Sequence, residues 1–147
     1  MKKLILSLIV CCIVIGCGKE ENGNEKPDGI SKEMYLYAIE TIEIMDSYSL
    51  GKYDLDKTMD ELYEIDIDTD CLGNDEYMSS LTKDEEGEFI DENSEYPKDI
   101  SIIMNIADIR LQMSTLELDV KEDIKNTAIE TAINIKDDLA KKINYKD

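Results

Sequence analysis

The residues of this chain that could do chemistry are mostly carboxylates. The sharpest pattern is a run in which Asp66, Asp68 and Asp70 occupy alternate positions. Carboxylates at positions 1, 3 and 5 begin an EF-hand calcium loop, which then needs glycine at position 6 and glutamate at position 12. This chain has Cys71 and Tyr77 at those two positions. We therefore expect a solvated acidic loop, with loose cation binding by the three aspartates as the alternative.

Other catalytic signals are scarce. Histidine and tryptophan are absent, and the sequence contains no nucleophile elbow, glycine-rich phosphate loop or zinc ligand set. Cys71 stands alone, and its acidic neighbours should raise the pKa of its thiol, which disfavours a nucleophilic role. Pairs of carboxylates can be chosen anywhere in so acidic a chain, so they do not indicate acid–base catalysis. We predict a protein that is not an enzyme and binds no cofactor.

The N-terminus carries the most specific motif. Lys2 and Lys3 precede an apolar run over residues 4–15, which is the order found in secretory signal peptides. A membrane-spanning helix needs about 20 apolar residues, so this run is too short to span comfortably. Its end, Val-Ile-Gly-Cys at residues 14–17, resembles the lipobox of bacterial lipoproteins. The resemblance implies cleavage before Cys17 and attachment of a diacylglyceryl group to its sulfur; the alternative is an ordinary secretory peptide or an uncleaved anchor.

The resemblance also implies a location and a domain organisation. Residues 1–16 would be the signal peptide, and Cys17 would hold the protein on the extracytoplasmic face of the cell membrane through its lipid. Residues 17–29 are rich in glycine, asparagine and charge, so we expect a flexible tether. Residues 30–147 would form a single domain.

The charge of the chain indicates the kind of partner. Removing residues 1–16 would leave 14 basic and 35 acidic residues, a net charge of −21 compared with −19 for the full chain. Such a surface repels nucleic acid and attracts cationic molecules. We therefore expect a binding module for a cationic protein or peptide. An immunity or sequestration protein against cationic antimicrobial peptides, and an accessory protein that binds cations or solutes, are the alternatives.

Apolar residues at helical spacing predict four helices. Two short ones cover residues 31–49 and 54–65, with Ser31 and either Asp54 or Asp56 as N-caps. A third helix starts at Pro97, and a fourth covers residues 120–144 behind a capping box that begins at Asp119. A single continuous helix after Pro97 is the alternative for this half.

Residues 66–97, named here the acidic segment, connect the two halves. They carry twelve acidic residues against Lys83 as the single base. We predict a short helix over residues 75–83 and otherwise loop, because no strand pattern competes. The predicted fold is all-α: a small helical bundle of about four helices in two antiparallel hairpins, joined by a long acidic loop.

Overall fold

A computed structural model describes residues 25–146 as a mostly helical chain. Its α-helices are α1 (Lys32–Ser49), α2 (Leu55–Glu64), α3 (Asp75–Ser80), α4 (Asp99–Ser114) and α5 (Glu122–Lys142). Strands β1 (Thr82–Lys83) and β2 (Phe89–Ile90) pair antiparallel between α3 and α4. The predicted helical class is confirmed, whereas the prediction that the acidic segment holds no strand is wrong. The predicted signal peptide and Cys17 lie outside the described residues.

Helix α1 begins and ends where the sequence indicates. The Ser31 hydroxyl accepts a hydrogen bond from the Met34 amide at 3.1 Å, which satisfies one of the free N–H groups of the first turn. At the other end, Gly51 adopts a φ of +67°, which favours glycine because it has no Cβ. The Lys52 amide then donates to the Ser47 carbonyl at 2.8 Å, the long bond of a Schellman motif.

Helix α2 confirms Asp54 as its cap and corrects its apolar face. The Asp54 carboxylate accepts from the Lys57 amide at 2.9 Å, and Met59 and Leu62 are buried as predicted. Tyr63, which the helical spacing of apolar residues also predicts on this face, is 59% exposed. It follows Leu62 directly, and one residue turns the side chain by about 100° around the helix axis, away from the core.

The core is formed by the four longer helices. Helix α4 packs against α1, α2 and α5, and α1 also packs against α2 and α5. An ion pair of 2.9 Å between Lys136 Nζ and Asp46 Oδ1 joins α5 to α1 at the edge of this core. Among the described residues, no helix is long and apolar enough to cross a membrane. The fully buried large aliphatic side chains are Ile30, Ile42, Met45, Leu62, Ile102, Ile106, Ile109, Met113, Leu139 and Ile143.

The junction between α4 and α5 confirms two separate helices and corrects where the second one begins. Helix α4 ends at Ser114, a 3₁₀ turn covers Thr115–Glu117, and α5 begins at Glu122, so one continuous helix is excluded. The capping box at Asp119 is also wrong, because Lys121 is the N-cap and makes no side-chain cap bond. Leu118 and Lys121 have ψ angles of 152° and 150°, so this link is extended and cannot belong to a helix.

The single arginine, Arg110, connects α4 to the end of α2. Its Nε and Nη2 atoms donate to the Leu62 carbonyl at 2.9 and 2.6 Å, and Nη2 also donates to the Ile65 carbonyl at 2.7 Å. Carbonyls in the last turn of a helix have no partner within the helix and carry its negative dipole end. The guanidinium therefore satisfies these groups with both hydrogen bonds and charge, and burial lowers its pKa from the ordinary value.

The N-terminal end of the domain joins α4 directly. The Gly29 carbonyl accepts from the Lys98 amide at 2.9 Å, and the Ser31 amide donates to Asp99 Oδ1 at 2.8 Å. Ile30, between them, is fully buried. Residues 29–31 are thus fixed to the first turn of α4, although Gly29 was predicted as the last residue of the tether.

We predict that Arg110→Ala lowers the free energy of unfolding by about 2 kcal/mol, because charge-assisted hydrogen bonds are each worth about 1.5–3 kcal/mol and the carbonyls lose their partner. Urea denaturation of the full chain, followed by circular dichroism, measures the loss. Lys52→Ala, which removes an exposed cation, is the control and should change stability by less than about 0.5 kcal/mol. Equal effects of the two variants would contradict the role assigned to Arg110.

Candidate functional site

The acidic segment begins with a stretch that separates apolar from acidic side chains. Ile65 and Ile67 are buried in the core, while Asp66 and Asp68 are exposed. The alternating pattern seen in the sequence therefore serves to anchor this segment by its isoleucines and to direct its carboxylates into solvent.

The same geometry determines what Asp66, Asp68 and Asp70 can do. Among residues 25–146, no three His, Cys, Asp or Glu side chains are placed so that they could hold a metal ion. An EF-hand loop curls around its cation and directs its carboxylates toward it, whereas here a 3₁₀ turn begins at Asp70. The Asp68 carboxylate instead accepts a hydrogen bond from the Asp70 amide at 2.8 Å.

Cys71 is half-buried in this 3₁₀ turn. Burial raises the pKa of its thiol, and the Asp68 and Asp70 carboxylates raise it further. The thiolate is the reactive form of cysteine, so these surroundings lower the reactivity of Cys71 at neutral pH.

A tight turn folds the middle of the acidic segment into a hairpin. The Asp84 carboxylate accepts from the backbone amides of Glu86 and Glu88 at 3.1 and 2.9 Å. The Gly87 amide donates to the Asp84 carbonyl at 3.0 Å, and Gly87 has a φ of +85°. Asp at the first position and glycine at the fourth are typical of a type I turn followed by a bulge. The sequence Asp-Glu-Glu-Gly was thus the signal for the hairpin that the sequence analysis missed.

Two polar contacts hold the hairpin to its neighbours. The Tyr77 hydroxyl of α3 donates to Asp91 Oδ2 at 3.1 Å, just after β2. Lys142, near the end of α5, pairs with Glu88 Oε2 at 2.8 Å, and its side chain is largely buried. The acidic segment is therefore folded against α4 and α5 through β2 and these contacts.

Most carboxylates of the acidic segment take no part in this scaffold. Asp84, Glu88 and Asp91 are half-buried and form the turn and the contacts with α3 and α5. Nine others are exposed, and the single base of the segment, Lys83, lies 4.7 Å from the centre of the Phe89 ring. The exposed carboxylates are those of Asp66, Asp68, Asp70, Asp75, Glu76, Glu85, Glu86, Glu92 and Glu95. This dense array of solvated negative charge is the candidate site.

The comparisons with known proteins add no family to this description. No protein-family model, curated protein or solved structure matches the chain.

The hydrogen bond between Tyr77 and Asp91 gives a test of the folded acidic segment. Burial and this hydrogen bond raise the pKa of Tyr77 to about 12. Asp91→Asn keeps an acceptor but removes the charge, so the pKa of Tyr77 should fall toward the ordinary value of about 10. Titration of tyrosinate absorbance measures the shift, with Tyr77→Phe to assign the step and Asp75→Asn as the charge-matched control.

The same pKa shift predicts a loss of stability in alkali. The folded chain binds the phenol proton more tightly than the unfolded chain, so this contribution is complete below about pH 10 and is lost as the pH rises to about 12. Tyr77→Phe should flatten this part of the stability profile. An unchanged profile in Tyr77→Phe, together with an unshifted titration in Asp91→Asn, would contradict the contact.

Proposed function

We propose that this protein is a lipid-anchored binding module on the extracytoplasmic face of a bacterial cell membrane, that it is not an enzyme, and that its partner is cationic. The observation that best supports a cationic partner is the set of nine exposed carboxylates on the acidic segment. The partner would be a protein or peptide rich in lysine and arginine. Sequestration of cationic antimicrobial peptides near the membrane is one role of this chemistry.

Charge of this density acts mainly on the rate at which two partners associate. Exposed ion pairs contribute little each, about 0.2–1 kcal/mol, because water and salt screen them. A concentrated field of one sign instead raises the association rate and weakens over a Debye length, about 8 Å at physiological salt. Binding through the acidic segment should therefore be fast and salt-sensitive, and nucleic acid should be repelled.

We further propose that the longer helices form a small bundle of two antiparallel hairpins, α1 with α2 and α4 with α5, joined by the folded acidic segment. The placement of α5 supports this arrangement. Residues at the start of α5 line a pocket together with Gln112, near the end of α4, and Thr115, in the 3₁₀ turn that follows. At the other end of α5, Lys142 pairs with Glu88 of the hairpin, and this hairpin packs on α4. Because the acidic segment contacts α4 and α5, the bundle would hold the carboxylates in place.

The proposed anchor is the lipid on Cys17. Its support is the lipobox resemblance at residues 14–17, together with the order of charge and apolar residues before it. Residues 17–28 would then separate the lipid from Gly29, where the folded domain starts. A flexible chain of that length spans roughly 20 Å, by about 5–6 Å times the square root of the residue number. The domain would stand clear of the lipid headgroups.

The anchor is tested by Cys17→Ser. Expressed in a bacterium and grown with radiolabelled fatty acid, the wild-type chain should be labelled and found in the membrane fraction. Cys17→Ser should lose the label completely, because serine offers no thiol for the thioether bond. Cys71→Ser is the control and should keep both properties. Labelling that persists in Cys17→Ser would contradict the assignment.

The cationic partner is tested with a lysine-rich peptide and the full-length protein in phosphatidylcholine nanodiscs. Glu85→Gln combined with Glu86→Gln removes two exposed charges and leaves Asp84 to form the turn. We expect affinity to fall roughly fivefold at low salt, corresponding to about 1 kcal/mol, and the difference to vanish at high salt. Surface plasmon resonance measures both.

Glu40→Gln combined with Asp60→Asn is the matched control, since it removes two exposed charges from α1 and α2. Its effect should be clearly smaller. If the wild-type protein fails to bind the peptide, or binds it independently of salt, the proposal of an electrostatic partner is wrong.

A further inference from the structure

An open pocket lies where α4 ends and α5 begins, away from the acidic segment. Its volume is about 260 Å³. Its walls come from the last turn of α4, the 3₁₀ turn and the first two turns of α5. The lining residues are Gln112, Thr115, Asp123, Ile124, Thr127 and Ala128. No role follows for these residues from the fold itself, apart from Ala128, which is buried in the core.

The size of the pocket suits a side chain better than a free small molecule. Sites for drug-sized ligands have volumes of about 300–1,000 Å³ and enclose most of the ligand. A cavity of about 150 Å³ already accommodates a benzene ring. A pocket of 260 Å³ that is open to solvent therefore fits one or two side chains presented by a larger partner.

The lining combines an apolar wall with one unpaired charge. Ile124 and Ala128 supply aliphatic surface, and among the described residues no ion pair or side-chain hydrogen bond engages the Asp123 carboxylate. The hydroxyls of Thr115 and Thr127 already donate to the carbonyls of Leu111 and Asp123, so their hydrogens are occupied. A lysine or arginine side chain matches this arrangement, because it carries a cation on an aliphatic stem.

The surface around the pocket also suits an amphipathic partner. Leu111 and Leu118 are large apolar residues exposed around the α4–α5 link, in addition to Ile124 of the pocket wall. Residues 111–128 also carry four acids against two lysines. A polar cationic peptide would use only the acids, whereas a peptide with both apolar and cationic residues would use both parts of this surface.

We propose that this pocket binds a lysine or arginine side chain of an amphipathic cationic peptide, with the aliphatic stem on Ile124 and Ala128 and the cation at Asp123. The proposal rests on the proposed function and names the kind of partner more closely. The pocket lies at the far end of α4 from Lys98 and Asp99, where residues 29–31 join. Sixteen helical residues separate the two ends by about 24 Å. The pocket is therefore accessible on the side remote from the proposed anchor.

The two surfaces should affect binding kinetics differently. The acidic segment offers exposed charge without a pocket, so it should act on the association rate and its salt dependence. The pocket offers close contact with a side chain, and loss of such contact mostly raises the dissociation rate. This difference separates the two sites experimentally.

The experiment uses the full-length protein in phosphatidylcholine nanodiscs and two synthetic peptides of equal charge. One is an amphipathic peptide of lysine and leucine, and the other replaces every leucine with serine; binding to empty nanodiscs is subtracted. Asp123→Asn and Ile124→Ser should each raise the dissociation rate of the amphipathic peptide about fivefold or more, as truncation of a well-packed contact does. The serine peptide should dissociate quickly from all variants.

Matched controls are available on the same protein. Asp108→Asn removes an exposed charge from α4, and Leu36→Ser removes an apolar side chain that is 44% exposed, compared with 46% for Ile124. Thr127→Phe is a second kind of variant, which places bulk at the pocket and keeps the charge and the helix, and it should weaken binding similarly. Thermal unfolding of each variant verifies that the domain remains folded.

The outcomes distinguish the two proposals. If Asp123→Asn, Ile124→Ser and Thr127→Phe release the amphipathic peptide no faster than the controls do, while Glu85→Gln with Glu86→Gln still slows association, the pocket proposal is wrong and the cationic partner stands. If neither peptide binds the wild-type protein above empty nanodiscs, the proposed function itself fails. If Ile124→Ser changes only the oligomeric state, the surface contacts a second copy and the pocket proposal is wrong.

Discussion

The fold depends on how the chain uses Arg110. In a protein of net charge −19, a lone arginine has many carboxylates available, yet its guanidinium binds the Leu62 and Ile65 carbonyls at the end of α2. These contacts satisfy the end of α2, and Ile65 and Ile67 just beyond it are buried in the core. The acidic segment consequently starts with its carboxylates already directed to solvent. A local hydrogen-bonding requirement of one helix end thus sets the direction of the whole connecting segment.

Of the remaining charged side chains, a few form ion pairs between distant elements and many stay solvated. Lys136 and Lys142 join distant elements by pairing with Asp46 and Glu88, and both lysine side chains are largely buried. Most other acids remain in water, where the cost of desolvation is avoided. The core itself is aliphatic and needs no charged residue, so a high negative charge is compatible with a stable fold. Repulsion between the carboxylates is the cost of this composition, and it is greatest where the acidic residues are most concentrated.

The sequence predicts this structure best where local chemistry decides it. Ser31 and Asp54 were among the predicted N-caps, because a cap acts within one turn of the chain. The extended link at Leu118 to Lys121 and the hairpin around Asp84 were missed, since the capping-box pattern at Asp119 and the acidic composition of the segment predicted otherwise. The exposed carboxylates could be expected from composition. The pocket could not be expected from the sequence. Ile124 fits the apolar stripe of α5, and it is exposed because neither α4 nor the link after it covers its side chain.

The attachment of residues 29–31 to the first turn of α4 has a mechanical consequence. Any tension in the chain between Cys17 and the domain would reach the Gly29 and Ser31 hydrogen bonds, and the buried Ile30, before it reaches the rest of the core. Because the other ends of these bonds lie on α4, the load would pass into the helix that contacts α1, α2 and α5. With the proposed anchor at Cys17, a pull on the chain would therefore be carried by the helix that contacts most of the core.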